Sequence, residues 1–371
     1  MTDFPHAMLR EIHEQPDALR RTLEIYVSGQ GLNAEAFAAL GSWLNPRGEV
    51  LIAASGSSRH AGLYAEILLE DLCGLAVDVE YSSEWDARGT PNPRRPSVLV
   101  ISQSGETSDT LAALRLARSR REQTLAIANV PGSSMLREAA AAMPLAAGPE
   151  LAIPATKSFT CQLAALFLLA LYESQQLGIM GAAEFDRNLR ELEAIPGAIE
   201  RQLDSWRASA ARLAHAYAGA STFLYLGRGI HYAIAREGAL KMKESSYVHA
   251  EGYPTGELKH GPNALVSEDV PLVVLATADR GLEDSMIRYE KTLQLLADMR
   301  RQGARVIALA NRGDSEVAAV ASDTIEVEAA GEYLLPLAEV VPLQLFAYQM
   351  ALEHGVDVDR PRNLSKAVIE L

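Results

Sequence analysis

Short apolar runs alternate with longer amphipathic stretches through most of this chain. The run at 49–54 ends in a Gly/Ser turn and is followed by apolar residues at helical spacing up to residue 72. The same succession of strand, polar loop and helix begins again at Ser97 and at Thr124. This alternation predicts an α/β fold with a parallel, doubly wound sheet flanked by helices. Ligands of such a sheet bind beyond the carboxyl ends of its strands.

Two further helical patterns frame these units. Residues 8–30 carry apolar positions at helical spacing, and Pro16 predicts a break within them. The segment that follows Lys157 is strongly apolar and predicts a helix buried on all sides. Its longest apolar run, Leu163 to Tyr172, is about half the length that a membrane span requires. The pattern therefore argues against a membrane-spanning segment.

The second half of the chain repeats the pattern of the first at an offset of about 170 to 180 residues, which indicates a duplicated domain. Segments that start at Thr222, Val270 and Ala304 match the three strand–turn–helix units, and Leu335 starts the matching apolar helix. The charged stretch between the halves, interrupted by Pro196, predicts a pair of linker helices. The predicted organisation is an amino-terminal helical segment, a first domain, linker helices, a second domain and a tail, at 1–30, 31–180, 181–218, 219–355 and 356–371.

Composition narrows the class of protein. The 371 residues are 48% hydrophobic and 22% charged, as expected for a globular protein with room for two domains. The formal net charge of −14 argues against nucleic acid as a partner, because that binding depends on basic patches. The first residues contain no apolar core typical of a signal peptide, and two cysteines cannot form a disulfide framework. We therefore expect a cytoplasmic protein.

Acids, bases and cations are concentrated between Glu237 and Pro262. Lys241 and Glu244 lie three residues apart, so on a helix both project from one face and can reach one reacting atom. His260 ends the stretch and is a natural proton carrier near neutral pH. The alternative is a solvated helix face followed by a polar loop, with a histidine that serves as a structural donor. Spacing alone leaves both interpretations open.

Hydroxyl-rich loops follow two of the predicted strands. Ser102, Ser104 and Thr107 come after one strand, and Ser57 and Ser58 come after its neighbour. Backbone N–H groups at a helix start, joined by hydroxyls, suit a phosphate, although the same hydroxyls also serve as helix caps. These turns lack the full GxGxxG pattern and a following acidic residue, so a nicotinamide or flavin cofactor is disfavoured. The scattered histidines predict no metal site.

Lys366 lies in the carboxyl-terminal tail, in the sequence RPRNLSKAV. A lysine in a tail is most often a flexible, solvated side chain. Pro361 in this tail limits the backbone and predicts an ordered segment instead. A lysine held in a partly dry pocket can act as an amine nucleophile toward a carbonyl group.

These motifs resemble the SIS (sugar isomerase) domain family, and among its members the isomerase domains of glucosamine-6-phosphate synthases. The resemblance covers nearly the whole chain and is carried by SQSGETSDTL, NVPGSS, TKSFT, YLGRG, EGALKMKE, GELKHGP, VPLQLFAY and DVDRPRNLSK. It implies an α/β fold of two tandem SIS subdomains, each a parallel doubly wound sheet flanked by helices.

The resemblance also implies roles for individual residues. Glu244 would move a proton between C1 and C2 of the sugar, Lys241 would be its cationic helper, and Lys366 would form a Schiff base with the open ketose. His260 would open the sugar ring and would reach the site from the neighbouring subunit of a homodimer. The implied substrate-binding residues are Ser58, Ser102, Gln103, Ser104, Thr107 and Ile153. No cofactor and no metal are implied.

The reaction implied is the interconversion of glucosamine 6-phosphate with fructose 6-phosphate and ammonia. Two departures from the family pattern matter. No amino-terminal glutaminase domain with its catalytic cysteine is found, so we expect a deaminase, an ammonia-dependent synthase or a separate source of ammonia. Ala155 replaces a serine of the family pattern near the sugar, which keeps an isomerase of another phosphosugar open. A non-catalytic sensor of sugar phosphates is the alternative from a different class.

Overall fold

The computed structural model describes residues 4–29, 31–41, 43–87 and 95–366. The helices are α1 Ala7–His13, α2 Gln15–Tyr26, α3 Ala34–Ala38, α4 Gly56–Cys73, α5 Ser82–Ala87, α6 Ser108–Ser119, α7 Ser134–Glu138, α8 Lys157–Gln176, α9 Ala182–Tyr217, α10 His231–Ser246, α11 Glu283–Arg301, α12 Ser315–Val320 and α13 Leu335–Glu353. The strands are β1 Val27–Ser28, β2 Gly31–Leu32, β3 Glu49–Ala54, β4 Ala76–Tyr81, β5 Ser97–Ser102, β6 Thr124–Ala128, β7 Ala141–Pro144, β8 Thr222–Gly227, β9 His249–Pro254, β10 Leu272–Leu275, β11 Val306–Asn311 and β12 Asp323–Val327. Two 3-10 helices span Thr255–His260 and Pro262–Leu265.

The chain forms two compact units. The first unit consists of Glu14–Leu151, Lys157–Glu193 and the end of the chain from Ser365. It contains a five-stranded parallel sheet in the order β4-β3-β5-β6-β7. The central strands are apolar at nearly every position because helices cover both faces of such a sheet. Helix α8 is buried along almost its whole length, as its sequence predicts.

The second unit consists of the chain up to His13, Ala152–Thr156 and Ala194–Leu364. Its five parallel strands have the order β12-β11-β10-β8-β9, which reproduces the arrangement of the first sheet. Helix α13 takes the place that α8 has in the first unit and is buried on all sides. The predicted duplication and the doubly wound α/β architecture are confirmed.

Strands β9 and β12 were not predicted from the sequence. Each pairs with one neighbour only and lies at an edge of the second sheet. An edge strand has one open side, so its sequence is mixed rather than apolar, as in HAEGYP and DTIEV. Gly252 in β9 is required by packing, because a Cβ at this position would lie 2.7 Å from Cα of Arg236.

The prediction of two linker helices between the halves is wrong, because α9 runs through Pro196 as one helix of 36 residues. Proline removes one hydrogen bond of a helix, but the flanking Leu192, Ile195 and Ile199 are buried and hold the helix in place. Pro16, by contrast, lies in the first turn of α2, and the predicted break falls there. Residues 1–3 and 367–371 of the predicted terminal segments lie outside the described residues.

One described helix, α13, is long and apolar enough to cross a membrane by length and composition alone. However, 89% of its apolar window is buried inside the protein. A helix that is covered by protein in this way is typical of a core rather than of a bilayer span.

Candidate active site

The hydroxyl-rich loop after β5 forms a compact turn at the carboxyl end of the first sheet. Ser102 is almost fully buried, and its Oγ lies 3.1 Å from the hydroxyl of Thr107. The same oxygen accepts the N–H of Gly105 at 3.0 Å, and Ser104 Oγ accepts the N–H of Glu106 at 3.1 Å. Thr107 precedes α6 but makes no side-chain capping hydrogen bond. The hydroxyls therefore organise the loop and leave the helix start uncapped, which is the arrangement that suits an anion.

Gly105 allows this turn to form. Its φ of +66° lies in the left-handed region, and a Cβ here would lie 2.2 Å from Ser133 Oγ and 2.6 Å from Ser133 Cβ. The loop is held from the other side as well, because the N–H of Ser134 donates to Glu106 at 2.7 Å and the N–H of Met135 donates to the Gly105 carbonyl at 3.1 Å. The start of α7 therefore fixes the shape of the hydroxyl loop.

Ser58 lies in the first turn of α4, directly after β3. It is buried, and its Oγ accepts a hydrogen bond from Gln162 of α8 at 3.0 Å. Its neighbour at the helix start, Ser55, makes no side-chain cap. Since β3 and β5 are adjacent parallel strands, the loops that carry Ser58 and Ser102 open at the same edge of the sheet, as predicted.

Helix α10 of the second unit carries three charged side chains along one face. Lys241 Nζ lies 2.5 Å from Glu244 Oε2 and 3.4 Å from Glu237 Oε1. The side chains of Lys241 and Glu237 have no exposed area, whereas that of Glu244 is 22% exposed. Burial of an ion is costly unless it is paired, so two carboxylates around one ammonium group keep the cation in place. Glu244 is the member of this cluster that a ligand can reach.

Glu237 was missed in the sequence analysis, although the signal was available. It lies four residues before Lys241, which is the other spacing that brings two side chains together on a helix. The solvated helix face that was left open as the alternative is excluded for this part of α10, because Glu237 and Lys241 are fully buried.

His260 and Ile153 also belong to the second unit. His260 ends the 3-10 helix Thr255–His260 and is exposed. Ile153 is half-buried, and its N–H donates to the carbonyl of Asp359 at 3.4 Å. The preceding N–H, of Ala152, is within 3.4 Å of the buried carboxylate of Glu11. These contacts order the backbone around Ile153.

The described part of the tail, up to Lys366, makes defined contacts, as Pro361 in its sequence predicts. In the second unit, Arg362 donates its N–H to the Tyr247 hydroxyl at 2.6 Å, and its guanidinium lies 4.3 Å from the ring centroid. In the first unit, Lys366 Nζ lies 2.7 Å from Glu150 Oε2. The side chain of Glu150 is fully buried, and that of Lys366 is 26% exposed. Lys366 is thus held by a buried carboxylate and remains open to solvent.

The predicted site residues fall in both units. The first unit holds Lys366 and the hydroxyl loops with Ser58, Ser102, Gln103, Ser104 and Thr107. The second unit holds Lys241, Glu244, His260 and Ile153. Gln103 and Ser104 are half-buried beside Ser102.

The equivalent edge of the second sheet is occupied by a buried ion cluster. His231, at the start of α10, lies 2.8 Å from Glu339 and 3.5 Å from Glu332. Glu339 also accepts a hydrogen bond from Thr277, and Glu332 accepts hydrogen bonds from Ser285 and Arg288. Burial opposes the charge on His231, but the two carboxylates outweigh it and raise the pKa of the imidazole to about 10. Carboxylates fill the position that the hydroxyl loops have in the first sheet.

A cavity of about 590 Å³ lies elsewhere in the first unit. Its lining includes Trp43, Gly48, Leu75 and Glu173, and Gly48 immediately precedes β3. The cavity is therefore at the amino edge of the sheet, opposite the hydroxyl loops, and is not the candidate site.

The chain is similar to known proteins over nearly its whole length. The SIS domain family matches residues 44–172 and 216–354. The glutamine–fructose-6-phosphate aminotransferase (isomerizing) of a Thermus thermophilus strain is 43% identical over 367 residues, which are 98% of this chain and 59% of that protein. The chain thus spans about three fifths of the length of this relative.

Solved structures are also similar to this chain over nearly its whole length. The C-terminal domain of glucosamine-fructose-6-phosphate aminotransferase from Francisella tularensis superposes with a TM-score of 0.87 at 32% identity, covering 96% of this chain and 99% of that domain. A glucosamine-6-phosphate deaminase from Thermotoga maritima has a TM-score of 0.72 at 21% identity, covering 98% of this chain and 99% of that one, and supports the fold alone.

Proposed function

Because the chain belongs to the SIS domain family and contains two SIS domains, we propose that it is a phosphosugar aldose–ketose isomerase acting on amino-sugar phosphates. The reaction proposed is the interconversion of glucosamine 6-phosphate with fructose 6-phosphate and ammonia. It is supported by the two relatives named above as aminotransferases of fructose 6-phosphate, which are 43% and 32% identical to this chain.

The observation that carries the proposal is the carboxylate of Glu244, accessible to a ligand and held 2.5 Å from a fully buried ammonium group. In our mechanism Glu244 removes the proton from C1 of the open-chain sugar and returns it to C2. A positioned carboxylate contributes roughly 10²–10⁴-fold to such a proton transfer. Lys241 stabilises the charge that develops on the enolamine as the proton moves.

The remaining residues bind and activate the sugar in this proposal. The hydroxyls of Ser58, Ser102, Ser104 and Thr107, with Gln103, hold the phosphate at the start of α6, where the helix dipole favours an anion. Ile153 contributes backbone contacts to the sugar. Lys366 attacks the ketose carbonyl at C2, water leaves, and a Schiff base forms; ammonia then attacks C2 and the Lys366 amine leaves. Glu150, 2.7 Å from Lys366 Nζ, holds this side chain in place.

His260 opens the sugar ring by proton transfer in this mechanism. Its exposed position on the 3-10 helix supports a role across the interface of a homodimer, where it would complete the site of the partner subunit. We propose the cytoplasm as the location, since phosphorylated sugars are metabolites of that compartment.

Measurement of both directions tests the proposed reaction. The protein is incubated with glucosamine 6-phosphate and free ammonia is assayed, and separately with fructose 6-phosphate with and without ammonium. We expect ammonia release, ammonium-dependent formation of glucosamine 6-phosphate, or both, and the ratio of rates identifies a deaminase or a synthase. Absence of turnover in both directions would overturn the amino-sugar reaction.

A second candidate, isomerisation of another phosphosugar, is favoured by Ala155. This half-buried alanine removes one hydroxyl from the segment that contains Ile153. Isomerisation of other ketose phosphates in the same assay, at rates above that with fructose 6-phosphate, would select this candidate. A non-catalytic sensor is less well supported, because binding alone does not require the buried Lys241–Glu244 pair.

A further inference from the structure

Glu150 is a buried carboxylate to which the sequence analysis assigned no role. It lies in the loop between β7 and α8, and its side chain has no exposed area. Its Oε2 accepts hydrogen bonds from Lys366 Nζ at 2.7 Å and from the Ser158 hydroxyl at 2.7 Å. Its Oε1 accepts the N–H of Ser158 at 3.1 Å. Both oxygens are therefore engaged by donors within the first unit.

The position of Glu150 explains how a carboxyl group is accommodated in a buried place. Ser158 is the second residue of α8, so the donated N–H belongs to the positive end of a long helix. A carboxylate that receives a helix N–H, a hydroxyl and an ammonium group loses little by burial. The same three donors fix its orientation, so the oxygen that faces Lys366 has a defined place.

We propose that Glu150 is the positioning residue of Lys366, and that it takes a proton from the ammonium group so that the amine can attack the ketose. This inference rests on the proposed function, because it requires Lys366 to form the imine. An ammonium group has no lone pair, so a lysine must lose a proton before it can act as a nucleophile. Glu150 is at hydrogen-bond distance from the proton concerned.

The proposed step balances in protons and charge. One proton passes from the ammonium group of Lys366 to Glu150, and the free amine forms a bond to the carbonyl carbon of the sugar. A second proton moves from nitrogen to the former carbonyl oxygen, which gives a neutral carbinolamine. Glu150 returns its proton to this hydroxyl, the carbon–oxygen bond breaks, and water leaves. The protonated imine retains the third proton, and Glu150 is again a carboxylate.

A role limited to holding the ammonium group makes the opposite prediction. A neighbouring carboxylate stabilises the charged form of a lysine. Its replacement by an amide would then make the free amine more abundant, and imine formation would be unchanged or faster. Whether imine formation becomes slower or faster in E150Q thus distinguishes proton acceptance from simple charge pairing.

The test traps the imine with borohydride in the presence of fructose 6-phosphate and follows labelling of the Lys366 peptide by mass spectrometry. In the wild-type protein we expect the label on Lys366. In Glu150→Gln we expect trapping about 10²-fold slower, since the amide keeps the size and the acceptor for Ser158 but cannot take a proton. Glu150→Asp keeps the carboxylate one methylene further away and should lie between the two.

Glu173→Gln is the matched control. Glu173 is also a buried carboxylate of the first unit, bonded to Trp43 Nε1 at 2.7 Å, and it has no part in the proposed reaction. Its replacement should leave the trapping rate unchanged. The thermal midpoint of each variant is measured alongside, and if E150Q does not fold, Glu150→Asp alone decides the outcome: slower trapping supports the proposal, and trapping at the wild-type rate overturns it.

The outcomes separate the inference from the function on which it rests. If the wild-type protein is labelled at Lys366 and E150Q is labelled at least as fast, the role of Glu150 is overturned. The proposed function is then unaffected. Wild-type protein without label on Lys366 overturns both the imine and the role of Glu150. Slow labelling of E150Q with wild-type rates in E173Q supports the proposal.

Discussion

Two clusters of buried charged residues lie in the second unit. Lys241 is flanked by Glu237 and Glu244, and His231 is flanked by Glu332 and Glu339. The effective cost of taking an ion out of water is several kcal/mol, and only close partners repay it. Each cluster thus depends on all its members, and loss of one leaves an uncompensated charge.

The cluster around His231 makes stability depend on pH in a defined direction. The pKa of His231 is about 10 in the folded protein and about 6.5 in the unfolded chain. The contribution of His231 to the free energy of unfolding is therefore complete below about pH 6.5 and is lost as pH rises through 10. Burial opposes ionisation of Glu332, but His231 and its other donors lower its pKa to about 2. The contribution of Glu332 to the free energy of unfolding is present above about pH 4.5 and is lost as pH falls through 2.

We predict that His231→Gln lowers the free energy of unfolding by about 3–5 kcal/mol at pH 6, because the two carboxylates lose their cation. The variant should also lose less stability than the wild type between pH 6.5 and 10. Urea unfolding at pH 6 and at pH 9.5 measures both effects. An equal pH dependence of wild type and variant would contradict the assignment of the raised pKa to His231.

At the scale of elements, the hydroxyl loop between β5 and α6 depends on the absence of one side chain. Gly105 combines a positive φ with a close approach to Ser133. Gly132 has a similar φ of +69°, but a Cβ added there would meet nothing within 4 Å. A comparison of alanine substitutions at these two glycines therefore distinguishes backbone strain from steric overlap.

We predict that Gly105→Ala is less stable than Gly132→Ala by about 1–3 kcal/mol, the usual cost of forcing atoms into a packed site. Affinity for fructose 6-phosphate should fall by about tenfold in G105A, which corresponds to about 1.4 kcal/mol, because Ser102 and Thr107 would be displaced. Urea unfolding and calorimetric titration give the two values. Equal stability and equal affinity in the two variants would show that the loop tolerates the change.

The sequence predicted the apolar elements of this fold well and its polar elements less well. Strands β3, β5, β6, β8, β10 and β11 follow from short apolar runs, because they are buried on both faces. The edge strands β9 and β12 carry no such signal. Helix α9 was divided at Pro196 because local rules favour a break, whereas packing of its apolar face keeps it continuous.

In the candidate site, the sequence reveals residues that are close along the chain, but it does not reveal contacts between residues that are far apart. Lys241 and Glu244 are recognisable from their spacing on one helix. The partner of Lys366 is 216 residues away, and no spacing rule connects Glu150 to it. Contacts of this kind are set by the tertiary fold, so they could only be found in the structure.

At the scale of the whole molecule, duplication has produced two sheets with the same strand arrangement but different chemistry at their carboxyl edges. In the first unit this edge carries hydroxyls and a helix start. In the second unit it carries the buried carboxylates Glu332 and Glu339. The first arrangement offers hydroxyls and helix N–H groups to a phosphate, whereas in the second His231 and Arg288 are already paired with Glu339 and Glu332.

We therefore predict that each chain binds one molecule of fructose 6-phosphate and not two. Isothermal titration at a protein concentration well above the dissociation constant measures the stoichiometry. Ser102→Ala with Thr107→Ala should abolish the single binding event. Two equivalents bound per chain, or binding that survives this double substitution, would contradict the assignment of phosphate binding to the first unit.

Deuterium exchange at the sugar tests the central claim, that Glu244 moves a proton between C1 and C2. Fructose 6-phosphate is incubated with the protein in D₂O, and incorporation at C1 is followed by NMR for the wild type, for Glu244→Gln and for Glu290→Gln, an exposed glutamate of α11. We predict incorporation at C1 with the wild type and E290Q, and a rate at least about 10²-fold lower with E244Q. Exchange by E244Q at the wild-type rate would contradict the account.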